Sequence, residues 1–330
     1  MVDLADRDKL QSHADLQGRE PIGQSAKRIN VSDWLGLIRF SHTLFALPFA
    51  TLATVMAFAT PLPDGTHPGL RWTDLLAILV CMVSARNAAM AFNRLVDRKI
   101  DAENPRTKGR HIPAGKLSAT AVAYFTIANV LVFIAAAAAF LPNWVPLVAS
   151  LPVLVVVMGY SLAKRFTSAA HLWLGVALSL SPICAWVAIR GPQSVLVLSD
   201  LIAPVLLAAA VAAWVTGFDI IYACQDAEYD RGAKLHSVPA RFGVAGALRI
   251  AAMSHFVMLL FLIALPILAP SVGFGWLYWV AFVLIAALVV RQHSLVSAGN
   301  LARVGEAFFQ TNVAISVLLM VAGSIDCLWI

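Results

Sequence analysis

Hydrophobic and polar positions along this chain fall into long blocks rather than a short repeat. Each apolar block is about as long as the roughly 20 residues a helix needs to cross a bilayer. The blocks cover 36–60, 73–93, 119–140, 144–163, 170–190, 200–222, 246–269, 272–290 and 306–328. The pattern therefore predicts an all-α, polytopic protein of about nine transmembrane helices. The thinnest separation is at 269–272, around Pro270. One long polar stretch precedes the first block, without the apolar core or small-residue cleavage site of a signal peptide. Residues 1–32 are thus expected to be a flexible cytoplasmic tail, and 33–330 a single transmembrane domain.

Composition agrees. Of 330 residues, 60% are hydrophobic and 13% are charged, and mean hydropathy is +0.80. Soluble domains carry about 25% charged residues, so a soluble fold is excluded. The apolar content excludes disorder, and no fibrous period is present. Cys81, Cys184, Cys224 and Cys327 are scattered singly, which suits packing rather than metal or disulfide chemistry. No basic face is interleaved with aromatics, so nucleic-acid binding is not expected.

The placement of charge sets the orientation. With the N-terminus inside, 21 of the 24 Lys and Arg fall on the cytoplasmic side, Arg71 and Arg190 fall opposite, and Arg86 lies within a span. This positive-inside split supports a cytoplasmic N-terminus in a cell inner (plasma) membrane.

Seven of the 18 acids lie in two clusters at cytoplasmic span ends. Asn93, Asp97 and Asp101 recur at i, i+4 and i+8, one stripe of a helix. Asp219, Tyr222, Asp226 and Asp230 form a second stripe. A carboxylate at mid-membrane costs roughly 2.5–3.5 kcal/mol on insertion scales, and like charges a turn apart add repulsion. A solvated face does not account for acid stripes that continue into apolar helices. Opposed stripes make sense around a divalent cation, and oxygen ligands suit Mg²⁺ completed by substrate phosphate. Arg86 lies one heptad before Asn93, on the same face. Arg106, Arg110, Lys164, Arg165, Lys234 and Arg241 crowd the loops on that side, where positive-inside bias accounts for most of them singly. Tyr160 and Lys164 form an i, i+4 pair at a span end. Acids for Mg²⁺ with bases around them describe a diphosphate site, and no nucleotide fingerprint is present.

N-x-x-x-D-x-x-x-D, followed by D-x-x-Y-x-x-x-D-x-x-x-D, resembles the UbiA superfamily of intramembrane prenyltransferases. The likeness extends to Asn104–Thr107, to Arg110–Gly115 and to His236–Gly243, and it covers about residues 33–330. It implies nine helices around a central cavity capped by cytoplasmic loops. It implies also that a polyprenyl diphosphate bound through Mg²⁺ loses diphosphate and alkylates an electron-rich aromatic ring, its tail lying toward membrane lipid. Position by position, the resemblance assigns Asn93, Asp97, Asp101, Asp226 and Asp230 to metal–diphosphate binding. Arg86, Arg106, Tyr160 and Lys164 match diphosphate-contacting positions. Asp219 matches a catalytic position suited to orienting or deprotonating the acceptor hydroxyl, and Arg39 one that could pair an acceptor carboxylate. His42 is expected to be structural.

Within the superfamily the chain is most similar to the 4-hydroxybenzoate polyprenyltransferase-like group. Residues 40–50 and 217–243 look most like the branch that prenylates 1,4-dihydroxy-6-naphthoate on the futalosine route to menaquinone. The resemblance thus implies a hydroxylated aromatic acid as acceptor, in respiratory quinone biosynthesis. Haem O synthase-like and chlorophyll synthase-like enzymes are neighbouring readings, with macrocyclic acceptors. From another class, a cation channel or transporter would also place acids inside a membrane.

Overall fold

The computed structural model describes residues 31–38 and 46–329, and among them every regular element is a helix. Helix α1 (Val31–Ile38) begins inside the stretch assigned from sequence to the tail, and α2 is Leu47–Ala59. The remaining long helices are α3 (Trp72–Val96), α5 (Ala119–Ala138), α6 (Val145–Ala163), α7 (Ala170–Arg190), α8 (Ile202–Ala223), α10 (Val238–Leu268), α11 (Trp276–Ser294) and α13 (Gln310–Trp329). Short helices α4 (Arg98–Glu103), α9 (Ala227–Gly232) and α12 (Val304–Phe308) lie in the connections. Among the described residues, eight of the expected spans are helices long and apolar enough to cross a membrane. The ninth, 36–60, contains α2, whose 13 residues rise about 20 Å.

These helices carry large apolar side chains outward. Leu76, Tyr124, Leu131, Val155, Phe256 and Val290 are all exposed, as a lipid-facing surface requires. Inside, close packing replaces hydrophobic drive, because lipid tails are as apolar as leucine. The alanine-rich α8 is the most enclosed helix, packed between α7 and α10. At the α7–α8 crossing, a Cβ on Gly175 would lie 2.4 Å from the Ala212 carbonyl oxygen, so only glycine allows this approach. Trp214 on α8 stacks edge-on against Phe218 at 4.9 Å and donates to Asn312 on α13 at 2.9 Å.

Three stretches differ from the sequence expectation. Helix α10 starts eight residues before 246 but is interrupted at Gly243, whose φ of 70° belongs to the left-handed region. The two acid stripes are not continuous helices either. Helix α3 stops before Asp97 (φ −88°, ψ 1°) and restarts as α4, while a 3₁₀ turn at Cys224–Asp226 separates α8 from α9. Both breaks fall where the chain leaves the apolar layer and polar groups become available to the backbone.

At the far end of the bundle, Arg190 closes α7 and is 1% exposed. It donates to the carbonyls of Ala57, Thr60 and Pro61 and to both oxygens of Asp200, and stacks on Trp186 at 4.8 Å. One buried guanidinium thereby ties α2, α7 and the connection into α8.

Candidate active site

The break at Asp97 leaves the first motif in register. Asp97 N–H still bonds the Asn93 carbonyl at 3.0 Å, and Asp101 N–H the Asp97 carbonyl at 2.8 Å. Asn93 Nδ2 donates to Asp97 Oδ2 at 2.9 Å, and Arg94 donates to Asn93 Oδ1 at 3.1 Å. Arg165, just beyond α6, donates to Asp97 Oδ1 and to the Val96 carbonyl, each at 2.9 Å. Burial holds the Asp97 carboxyl above its ordinary range, with Arg165 pulling it back and neighbouring Asp101 pushing it further up. Asp101 is itself buried and accepts from Arg110 at 2.6 Å.

The second motif is stitched to the first by the loop after α4. Arg106 grips Asp226 in a two-pronged ion pair, with its Nε donating at 2.7 Å, and Asn104 Nδ2 donates to the same carboxylate at 3.3 Å. Arg106 also donates to the Tyr222 hydroxyl at 3.1 Å and lies over its ring. Tyr229 on α9 donates to the Ile100 carbonyl at 2.9 Å. Lys164 Nζ lies 3.8 Å from Asp230, and the Lys164 carbonyl accepts from His236 N–H at 2.7 Å. Asp97, Asp101, Asp226, Asp230, Arg106 and Lys164 are thus brought to one end of the bundle.

Among the described residues, no three Asp, Glu, His or Cys side chains form a ready metal cage. The acids are held instead by bases, Asp97 by Arg165, Asp101 by Arg110 and Asp226 by Arg106. Even so, one oxygen from each motif, Asp101 Oδ2 and Asp230 Oδ2, is buried without a hydrogen bond. Asp230 Oδ2 is the oxygen that lies 3.8 Å from Lys164 Nζ, and both of these carboxylate oxygens are donors that fit a hard divalent cation.

An apolar cavity of about 340 Å³ lies between α3, α5, α6 and α7. Its lining includes Met82, Phe133, Phe140, Val153 and Leu178, with Arg86 and Tyr160 at its polar neck. Met90, the last lining residue on α3, comes three residues before Asn93, and Tyr160 comes one turn before Lys164. The neck therefore adjoins the charged site. Along α6 the lining runs from Val145 to Tyr160, about 22 Å by helical rise.

Asp219 stands apart from the other acids. The expected single stripe is divided by the 3₁₀ turn, and Asp219 turns toward α7, where His171 Nδ1 lies 2.6 Å from its Oδ2. Sequence reasoning misses His171, because a lone histidine in an apolar helix reads as packing. The available signal was its position one turn before Gly175, the residue that lets α7 approach α8. Arg39 and His42 lie outside the described residues.

Three comparisons bear on this geometry. The sequence pattern of the UbiA prenyltransferase family matches residues 43–314. A 4-hydroxybenzoate octaprenyltransferase of Acidovorax ebreus (strain TPSY) is 30% identical over 279 residues, 82% of this chain and 87% of that protein. The apo structure of a UbiA homolog from Aeropyrum pernix K1 matches with a TM-score of 0.74 at 31% identity, covering 86% of this chain and 97% of its own. A UbiA homolog from Archaeoglobus fulgidus, solved bound to DMAPP and Mg²⁺, shares the fold with a TM-score of 0.66 at 18% identity, over 90% and 100% of the two chains.

Proposed function

The chain belongs to the UbiA prenyltransferase family, and from that premise we propose that it transfers a polyprenyl group from polyprenyl diphosphate to a hydroxylated aromatic acid in respiratory quinone biosynthesis. The acceptors that fit are 4-hydroxybenzoate and 1,4-dihydroxy-6-naphthoate. One observation carries this reading: two motifs, each with a buried carboxylate oxygen outside any hydrogen bond, sit beside the neck of a long apolar cavity. Such a site receives a diphosphate head and an apolar tail together. A cation channel would need a polar path, whereas this cavity is lined mainly by apolar side chains.

Asn93, Asp97, Asp101, Asp226 and Asp230 would hold Mg²⁺, and the oxygen-rich donor set suits it. When bound, Mg²⁺ supplies positive charge that neutralises the diphosphate leaving group. Arg86, Arg106, Tyr160 and Lys164 contact the same diphosphate, and their charges and hydroxyl stabilise it as the allylic carbon–oxygen bond breaks. The apolar walls keep water from the allylic cation. A ring carbon of the acceptor attacks that cation, and the ring proton is lost to restore aromaticity. Asp219 accepts a hydrogen bond or proton from the acceptor hydroxyl, raising the electron density of the ring. Arg39 pairs the acceptor carboxylate. The site faces the cytoplasm, on the Lys- and Arg-rich side.

The test is product analysis by mass spectrometry, with membranes offered a polyprenyl diphosphate and each aromatic acid in turn. A prenylated acid formed only with divalent metal is expected. Failure with both acids would overturn the acceptor class, and turnover in EDTA would overturn the metal assignment.

A further inference from the structure

The pair formed by His171 and Asp219 has an internal logic that the acid motifs lack. His171 is the second residue of α7 and is 1% exposed. Its two ring nitrogens face different partners. Nδ1 is 2.6 Å from Asp219 Oδ2, and Nε2 faces the backbone N–H of Val238 at 3.4 Å. Val238 opens α10, and its amide can only donate. Nε2 must therefore offer its lone pair, and in a neutral imidazole the hydrogen then resides on Nδ1. The tautomer follows from the neighbours: Nδ1–H donates to the Asp219 carboxylate.

The asymmetry continues at Asp219. Its Oδ2 is held by a buried ring, and its Oδ1 has no hydrogen bond among the described residues. The Asp219 side chain is 22% exposed beside a fully enclosed histidine. Backbone packing fixes the arrangement from below. Gly175 brings α7 against Ala212 of α8, one turn beyond His171 and about two turns before Asp219.

We infer that His171 is a positioning residue: its Nδ1–H fixes one oxygen of Asp219 so that the other is presented to the acceptor hydroxyl. This rests on the acceptor role proposed for Asp219. The ring acts on the carboxylate alone and does not touch substrate. Its second bond, to the first amide of α10, anchors the ring so that rotation about its side-chain torsions cannot release the carboxylate.

Two substitutions separate the functions of the two ring nitrogens. In His171→Asn the amide nitrogen can take the place of Nδ1 and keep the bond to Asp219, while the Val238 contact is lost. In His171→Gln the longer amide reaches toward Nε2 and Val238, leaving Asp219 without its donor. Full-length protein in membranes is assayed with whichever of the two aromatic acids it prenylates, alongside Asp219→Asn.

The expected result is an acceptor kcat/KM within about threefold of wild type for His171→Asn. His171→Gln should lose roughly 10- to 150-fold, the range for a hydrogen bond to a charged group. Prenyl-diphosphate KM should stay unchanged in both, which also reports that the variants are folded. The double variant His171→Gln/Asp219→Asn should be no worse than Asp219→Asn alone. Equal activity in the Asn and Gln variants would overturn the inference, as would retained activity in Gln with loss in Asn, which would assign His171 to capping α10. In both cases an impaired Asp219→Asn leaves the acceptor reading standing. Full activity in Asp219→Asn would overturn that reading, and this inference with it.

Discussion

Asp101 and Asp230 differ from the other motif acids in keeping one buried oxygen outside any hydrogen bond. A buried carboxylate oxygen without a hydrogen bond is costly, and it is tolerable in a site built to receive a cation. Replacing Asp101 or Asp230 by Asn keeps the shape and removes the charge. Each change should lower turnover by about 100-fold or more, on the scale of removing one group that balances charge in a transition state. Thermal unfolding should move little, because an Asn oxygen can still accept from Arg110 at position 101. Wild-type turnover in either variant would remove these carboxylates from the site. The acids were legible in sequence because an intramembrane carboxylate is expensive and its spacing repeats with the helix. Their partners were less so. Arg110 and Arg165 read as ordinary loop bases until the fold brings them to Asp101 and Asp97. His171 was not legible, since its partner lies 48 residues away on another helix.

At the scale of helices, block length located the eight long apolar helices found among the described residues, because the bilayer sets that length independently of packing. What block length does not encode is where a helix breaks within polar sequence. The turn at Cys224–Asp226 and the kink at Gly243 lie inside or beside blocks whose length gives no sign of them. Gly243→Ala should cost about 1–3 kcal/mol, because φ 70° with ψ 170° is a conformation that essentially only glycine adopts. Gly175→Ala should act differently, because its Cβ would meet a backbone carbonyl of the neighbouring helix. Overpacking there should cost about 1–3 kcal/mol and also lower acceptor kcat/KM, by shifting His171 away from Asp219. Thermal melts with acceptor kinetics on both variants check this. A Gly175→Ala protein with wild-type melting and kinetics would show that α7 and α8 are not in close contact.

The whole molecule has two ends of opposite character. One end gathers acids and bases that a substrate can engage; the other is closed by Arg190, whose partners are all internal. Arg190→Met should cost about 3–5 kcal/mol, the scale for breaking a buried ion pair, because Asp200 is left buried and unpaired. Adding Asp200→Leu should recover part of that loss, and a double variant worse than the single would refute the account. The two sides of the bundle also differ. Around α8, α10, α11 and α13 the side chains interlock, whereas α3, α5, α6 and α7 enclose about 340 Å³ of apolar space. Hydrostatic pressure favours states that eliminate such voids, so compression should loosen the α3–α5–α6 side before the interlocked side yields. Xenon, which enters dry apolar cavities, should collect there. A prenyl chain that fills the space should expel the gas and make the protein harder to compress, so that volume alone reports whether the donor is bound.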